Sequence, residues 1–278
     1  MQLRTRSRIA VVAARGLGDG LLSLILSNNL MRSGHLVTTY STVLCQMNDW
    51  FPEHTIAPFD AIDFSTVDHV IAADHSLVRK VDEKTTILFE RDFDKSKSMV
   101  ENLVMAARKM SLEATADTGL VVLPDLHHRK HKRRIILHPM STSDHKNWPA
   151  HRFRALAEKL SKEGFDPVIC VGPDEKPLWP EAKTFSTISN LASFIYESGG
   201  LIGNDSGLGH LASLLNIPTL SIFARKSYSR LWRPDFSPGV VVTPKIPLIG
   251  ASMKQRYWKN FLTVSLVMKN FNRLIKKS

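Results

Sequence analysis

Short, continuous apolar runs, each leading through a polar or glycine-rich turn into a segment of helical period, recur along this chain. A strand that is apolar at every position is buried on both faces, the condition of a parallel sheet covered by helices. Residues 9–14 form such a run. Arg15-Gly16-Leu17-Gly18-Asp19-Gly20 makes the turn, and Leu21, Leu22, Ile25, Leu26, Asn29 and Leu30 follow at helical spacing as far as Ser33-Gly34. Residues 36–40, 69–73 and 86–89 read as further strands, 76–81 as a short helical stretch and 97–112 as a helix. The pattern then breaks and restarts. Strands are predicted at 135–137, 167–171, 201–203, 218–223 and 240–243, and helices from Trp148-Pro149 through Leu160, at 188–196, at 207–215 and at 258–275. Two successive alternations imply two α/β domains with parallel sheets, 1–125 and 135–278, joined by a basic interdomain segment at 126–134. A ligand is expected in the cleft between them, at the C-terminal ends of strands.

Charge narrows the function classes. The 278 residues carry 37 Lys+Arg and 26 Asp+Glu, a formal net charge of +11. Five of the cations lie in 127–134 and eight in 236–278, neither stretch containing an acid, so the remainder is nearly balanced. This distribution points to local anion contacts, not to a generally basic nucleic-acid surface. A hydrophobic fraction of 43% rules out a disordered chain. No apolar run approaches the ~20 residues of a membrane span, and the run at 9–14 is too short for a signal-peptide core. Cys45 and Cys170 are far apart in apolar surroundings, which fits neither a disulfide framework nor a metal site, and a cytoplasmic protein is expected. No metal is expected: the eleven histidines form no His-x₃-His pair with a carboxylate in helical context, and His127, His128 and His131 lie among cations. Asp92-Phe93-Asp94 is a DxD triplet of the kind some sugar transferases use to hold a metal, but so short a pattern is common by chance.

Three loops carry the candidate chemistry. Gly16 and Gly18 follow a strand and open a helix, where backbone N–H groups can meet an anion. The dinucleotide fingerprint needs a further glycine where Leu21 stands and an acid where Tyr40-Ser41 stands, which disfavours a nicotinamide or flavin enzyme. Asp19 is either a helix-start carboxylate favoured by the dipole or a functional acid at the mouth of the cleft. In the loop 138–149, Ser141 and Thr142 can donate to phosphate oxygens and Lys146 supplies a compact charge; the other reading is a polar loop with a cap. In Gly203-Asn204-Asp205-Ser206-Gly207-Leu208-Gly209-His210, a strand runs through a polar-glycine turn into a helix, a binding place for a diphosphate. His210 lies one turn after Ser206, and taken alone it reads equally as a core histidine.

Together these residues resemble the heptosyltransferase-type glycosyltransferases (glycosyltransferase family 9) of lipopolysaccharide core synthesis. Asp205-Ser206-Gly207-Leu208-Gly209-His210-Leu211, with the later Pro218 and the apolar strand to Phe223, matches the family's Asp-Ser/Thr-Gly-x-x-His-Leu string. Lys146-Asn147-Trp148-Pro149 resembles its Lys-x-Trp-Pro loop, and Gly18-Asp19 its first Gly-Asp. The resemblance implies a GT-B fold: two Rossmann-like domains facing a central cleft, the first for the acceptor and the second for a nucleotide-diphosphate sugar. It implies an inverting, metal-independent enzyme that moves a sugar, heptose from ADP-heptose, onto a lipopolysaccharide-core or related phosphorylated glycolipid. By carry-over Asp19 is the general base, with Gly16 and Gly18 in the acceptor-side loop. Ser141, Thr142 and Lys146 match donor-phosphate contacts, Asp205 a sugar contact, and Ser206, Gly207 and His210 the diphosphate end. Glu175 falls near the ribose-binding acid, with Asp174 as the alternative alignment. The chain departs from the family where Ala224-Arg225-Lys226-Ser227 replaces Gly-Pro-Thr and where Arg15-Gly16-Leu17 precedes the Gly-Asp. A catalytically inactive nucleotide-sugar-binding homologue is the alternative. Residues 129–134 and the C-terminal cations are expected to face an anionic inner-membrane surface.

Overall fold

The computed structural model describes residues 6–72, 85–88, 92–245 and 258–278. The stretch 76–81, read as helical from the sequence, lies outside them. The chain divides into two compact units, one of Met1–Pro124 with Thr187–Ser189, the other of Asp125–Ser186 with Asn190–Ser278.

The first unit contains β1 (Arg8–Val12), α1 (Leu17–Arg32), β2 (Leu36–Tyr40), β3 (Thr55–Ala57), β4 (His69–Ala72), β5 (Thr85–Ile87) and α2 (Met99–Lys109). Its sheet is parallel in the order β3-β2-β1-β4-β5, with Ile9 opposite both Val37 and His69. Helix α1 is buried nearly all round, polar residues included. Those polar groups are hydrogen-bonded, as burial demands. Ser27 Oγ meets Thr39 Oγ1 of β2 at 2.7 Å, and the Asn29 amide both donates to Thr115 O (2.8 Å) and accepts from Thr115 N (3.0 Å). Asn29 therefore fastens the 115 loop to the helix. Helix α2 opens on a capping box between Ser98 and Glu101.

The second unit contains β6 (His131–His138), α3 (Ala150–Lys162), β7 (Asp166–Ile169), α4 (Ile188–Tyr196), β8 (Ser198–Asn204), α5 (Gly207–Leu214), β9 (Thr219–Ile222), α6 (Lys226–Trp232), β10 (Val240–Val242) and α7 (Val264–Ile275). This sheet is also parallel, in the order β10-β9-β8-β6-β7. The chain goes from β6 outward to β7 and then returns to the other side of β6 for β8. The order reverses between β6 and β8, and at such a switch point the loops leaving the strand ends open a crevice. Trp148, Phe153, Trp179, Trp258 and Phe271 fill the core of this unit.

Several elements differ from the sequence reading. Residues 126–134 all belong to the second unit, and His131–Arg134 are the first half of β6 instead of a linker. Cations do not prevent this, because their heads can stay wet while the strand pairs. Arg134 donates to Ser198 Oγ at 2.8 Å, and its guanidinium lies 3.9 Å above the Phe194 ring. Strand β8 begins at Ser198, earlier than its apolar residues suggest, because Gly199 lets two backbones touch: a Cβ there would lie 1.8 Å from Lys132 O. The terminal helix is broken, a 3₁₀ turn at Trp258–Phe261 being followed by α7, whose cap Thr263 accepts from Leu266 N. The 3₁₀ segment Leu44–Trp50, strand β3 and helix α6 were not legible beforehand.

Gly199→Ala is expected to force β6 and β8 apart and to destabilise the protein by about 3 kcal/mol or more. A urea unfolding midpoint within experimental error of the parent chain would contradict the close approach.

Candidate active site

The site grows from the switch point. Asn204 ends β8 almost wholly buried, and its amide spans the crevice: Oδ1 accepts from Trp148 N (3.1 Å) and Nδ2 donates to Pro139 O (2.6 Å). Both ends of the loop after β6 are thus tied to β8. The other side of this loop is held from the C-terminal segment. Trp258 Nε1 donates to His145 O (3.1 Å), Lys259 Nζ to Asp144 O (3.0 Å), and Trp148 Nε1 to Leu262 O (2.9 Å). Arg152 also donates to Lys259 O and Leu262 O.

This scaffold brings Lys146 Nζ to 2.8 Å from Asp205 Oδ2. The pair lines a cavity of about 290 Å³ with Ser143 and His145 from the same loop and Phe223, Arg225 and Tyr228 from beyond β9. Only 11% of the Asp205 side chain is exposed. Burial raises the Asp205 carboxyl above its ordinary range, against the hydrogen bond and charge of Lys146. For Lys146 burial acts downward, but the hydrogen bond and charge of Asp205, with Tyr228 adding to them, outweigh it and hold the ammonium protonated. A compact cation facing a cavity suits a phosphate oxygen.

Behind the pair, Ser206 caps α5 without making the usual side-chain hydrogen bond to its first turn. Among the described residues, Ser206 Oγ and His210 Nδ1 are buried polar atoms with no hydrogen-bond partner. Leaving two such atoms unsatisfied beside a helix N-terminus is costly, and at a crevice it points to a ligand that supplies the partners. His210 itself is fully buried. Burial pushes its pKa down to about 4, the main chain of Trp232 opposing and the charge of Lys146 assisting, so the ring is neutral at pH 7.

The remaining expected residues are distributed as follows. Gly207 opens α5 directly behind Asp205 and Ser206. Ser141 and Thr142 stand back from the cavity wall, where Ser143 is found instead. The Ser141 hydroxyl is spent within its own loop, donating toward Asn147 Oδ1 (2.7 Å) and Ser143 O (3.0 Å). Glu175 accepts from Gly172 N at 2.8 Å, closing the start of the 3₁₀ segment Pro173–Leu178. In the first unit Asp19 sits half-buried in the first turn of α1, with Gly18 buried beside it. Gly16 clears the space Asp19 needs, since a Cβ there would lie 2.7 Å from Asp19 Oδ2. Asp94 accepts from Ser96 N and Ser96 Oγ in a local turn, and among the described residues no three His, Cys, Asp or Glu side chains are grouped to hold a metal ion. Sequence reasoning did not anticipate Ser143, His145 and Tyr228 as cavity residues. Tyr228 and Trp232, four apart, carried a weak helical signal for α6.

The buried neutral histidine has a pH signature. Its folded pKa of about 4 lies below the ordinary 6.5, so between those values the unfolded chain binds a proton that the folded one does not. Stability is therefore lost as pH falls from 6.5 towards 4, by up to about 3 kcal/mol from this group. His210→Gln is expected to flatten the dependence of the urea midpoint on pH over that window; parallel curves for the two proteins would contradict the assignment.

Known proteins share this arrangement of elements. A family model described as Glycosyltransferase family 9 (heptosyltransferase) matches residues 23–235. Lipopolysaccharide heptosyltransferase 3 of Escherichia coli is 25% identical over 114 residues, 36% of this chain and 33% of that protein, so the match spans about a third of the relative's length. A glycosyl transferase family 9 structure from Veillonella parvula superposes with a TM-score of 0.74 at 17% identity, covering 100% of both chains. The Escherichia coli ADP-heptose lipopolysaccharide heptosyltransferase II gives 0.70 at 15% identity, covering 97% of this chain and 99% of that one. The Escherichia coli heptosyltransferase WaaC with ADP gives 0.70 at 16%, covering 96% and 99%. At these identities the structures establish the fold, two Rossmann-like domains of the GT-B class. The family model spans most of the sequence, including the Lys146 loop and the Asp205-Ser206-Gly207 turn, and the chain belongs to glycosyltransferase family 9, the heptosyltransferase family.

Proposed function

We propose that this protein is a sugar transferase that moves heptose from ADP-heptose onto a lipopolysaccharide-core or related envelope glycolipid, with inversion and without a metal ion. The observation that carries the reading is the Lys146–Asp205 pair on the cavity at the β6/β8 switch point, backed by the unpartnered Ser206 hydroxyl and the N-terminus of α5. Relatives of the same fold were solved with ADP and with ADP-2-deoxy-2-fluoro heptose.

The chemistry follows from the charges. An acceptor hydroxyl oxygen bonds to the anomeric carbon as the bond from that carbon to the diphosphate oxygen breaks, and the electron pair leaves on the nucleoside diphosphate. Lys146 and the α5 amides meet the negative charge growing there. Asp205 holds Lys146 in position and offers its carboxylate to sugar hydroxyls. The acceptor proton passes to the carboxylate of Asp19, which needs no raised pKa because attack on an oxocarbenium-like carbon calls for proton removal only late. The assignment of the acceptor to the first unit and the donor to the second is part of this proposal.

The exposed cations Lys130, Lys132 and Arg133 are proposed to meet an anionic leaflet. They lie before or within the start of β6, whereas the cavity lies beyond its end, roughly 25 Å along the strand. Docking there would orient the protein and leave the cavity clear. Among the described residues no helix is long and apolar enough to cross a membrane. Arg129 and Arg134 have structural contacts, with Ser278 O and with Ser198 and Phe194, and are unsuited to the test.

ADP-heptose at a hundred times its Kd is expected to stabilise the protein by about 2.7 kcal/mol in a thermal-shift series of nucleotide sugars. Stabilisation by other nucleotide sugars alone would move the donor assignment. Asp19→Ala is expected to lower transfer by about 10²-fold or more while ADP-heptose affinity stays within about twofold; loss of donor binding in that variant would refute the base role. Replacing Lys130, Lys132 and Arg133 by glutamine should weaken binding to phosphatidylserine vesicles by about 1 kcal/mol per cation, and unchanged binding would make the segment an ordinary solvated surface.

A further inference from the structure

We infer that Tyr228, on helix α6, is a positioning residue that holds the Lys146 ammonium over the donor cavity. The inference rests on the donor reading above and adds to it the residue that follows the stretch, 224–227, where this chain departs from the family pattern.

Lysine is a flexible four-carbon stem ending in three N–H donors, and one carboxylate does not fix where the head points. Here Asp205 Oδ2 takes one donor at 2.8 Å. The ammonium also lies 5.0 Å from the centre of the Tyr228 ring, within cation–π range. The remaining N–H donors are left for an anion in the cavity. Tyr228 is itself held from two sides: its ring stacks on Trp232 (6.0 Å between centroids, 25° between planes) and leans on Phe223 (6.5 Å, 52°). Phe223 is fully buried at the end of β9, so the support reaches back into the sheet. Without Tyr228, Asp205 alone would hold Lys146, and the ammonium would turn away from the phosphate position towards the carboxylate.

The test is a double-mutant cycle on ADP affinity, read by calorimetry, with Tyr228→Ala, Lys146→Met and the pair. If Tyr228 acts through Lys146, Tyr228→Ala weakens ADP by about tenfold in the parent chain and by less than about twofold in the Lys146→Met background. Tyr228→Phe, which keeps the ring and its stacking, should recover much of the loss. Equal weakening in both backgrounds would overturn the inference, because a merely structural role acts whether or not Lys146 is present. A second measurement needs no donor. The pH midpoint for acylation of Lys146 by acetic anhydride, followed by mass spectrometry, should fall in Tyr228→Ala and less in Tyr228→Phe; an unmoved midpoint overturns the inference. If the parent chain fails to bind ADP, it is the donor reading that fails, and the acylation midpoints alone decide the role of Tyr228.

Discussion

One buried amide organises the second unit. Asn204 lies where the strand order reverses, and its side chain satisfies a backbone N–H at one end of the neighbouring loop and a backbone C=O at the other. A buried amide forced to find both partners is directional in a way that apolar packing is not. Because Asp205 is the next residue and Lys146 lies within the tied loop, the ion pair inherits its geometry from that constraint. The tryptophans at 148 and 258 extend it outward, each burying its ring and spending its indole N–H on a backbone carbonyl.

Opposed electrostatic effects run through the site. Burial raises the Asp205 carboxyl and depresses His210, yet Lys146 remains protonated because its carboxylate and tyrosine partners outweigh its desolvation. The result is one cation with a defined direction beside a neutral imidazole and an unspent hydroxyl. Such an arrangement is poor for stability in isolation and well suited to receiving an anion that brings its own oxygens.

The two sheets are alike in a way that bears on this. The first has its opening strand β1 flanked by β2 and β4, and the second has β6 flanked by β7 and β8. In each case a candidate residue follows the opening strand, Asp19 in the first turn of α1 and Lys146 in the loop after β6. Glycines serve different ends in the two units. Gly16 makes room for a carboxylate, whereas Gly199, at the opposite end of the second sheet, makes room for another backbone. Nothing in local composition separates these uses.

The sequence by itself determined the class of fold. Apolar runs too continuous for an exposed strand face, alternating with helical periods, admit little besides parallel sheets under helices. The Asp205-Ser206-Gly207 turn and the Lys146 loop read as candidate places for an anion because they set small residues, hydroxyls and a lysine between a strand and a helix, with a polar capped loop as the other reading. Only the tertiary structure decided which of those groups face one cavity. Ser141 turned out to serve its own loop and Ser143 to line the wall, a difference of two residues set by hydrogen bonds to Asn147 that local spacing does not encode. The basic run became half a strand because Gly199 admits the backbone of Lys132, a contact between residues far apart in the chain. Burial also turned His210 from a residue with two equal readings into a neutral ring behind Lys146. Desolvation and partner geometry are properties of the packed interior, and they exist only once distant segments have met.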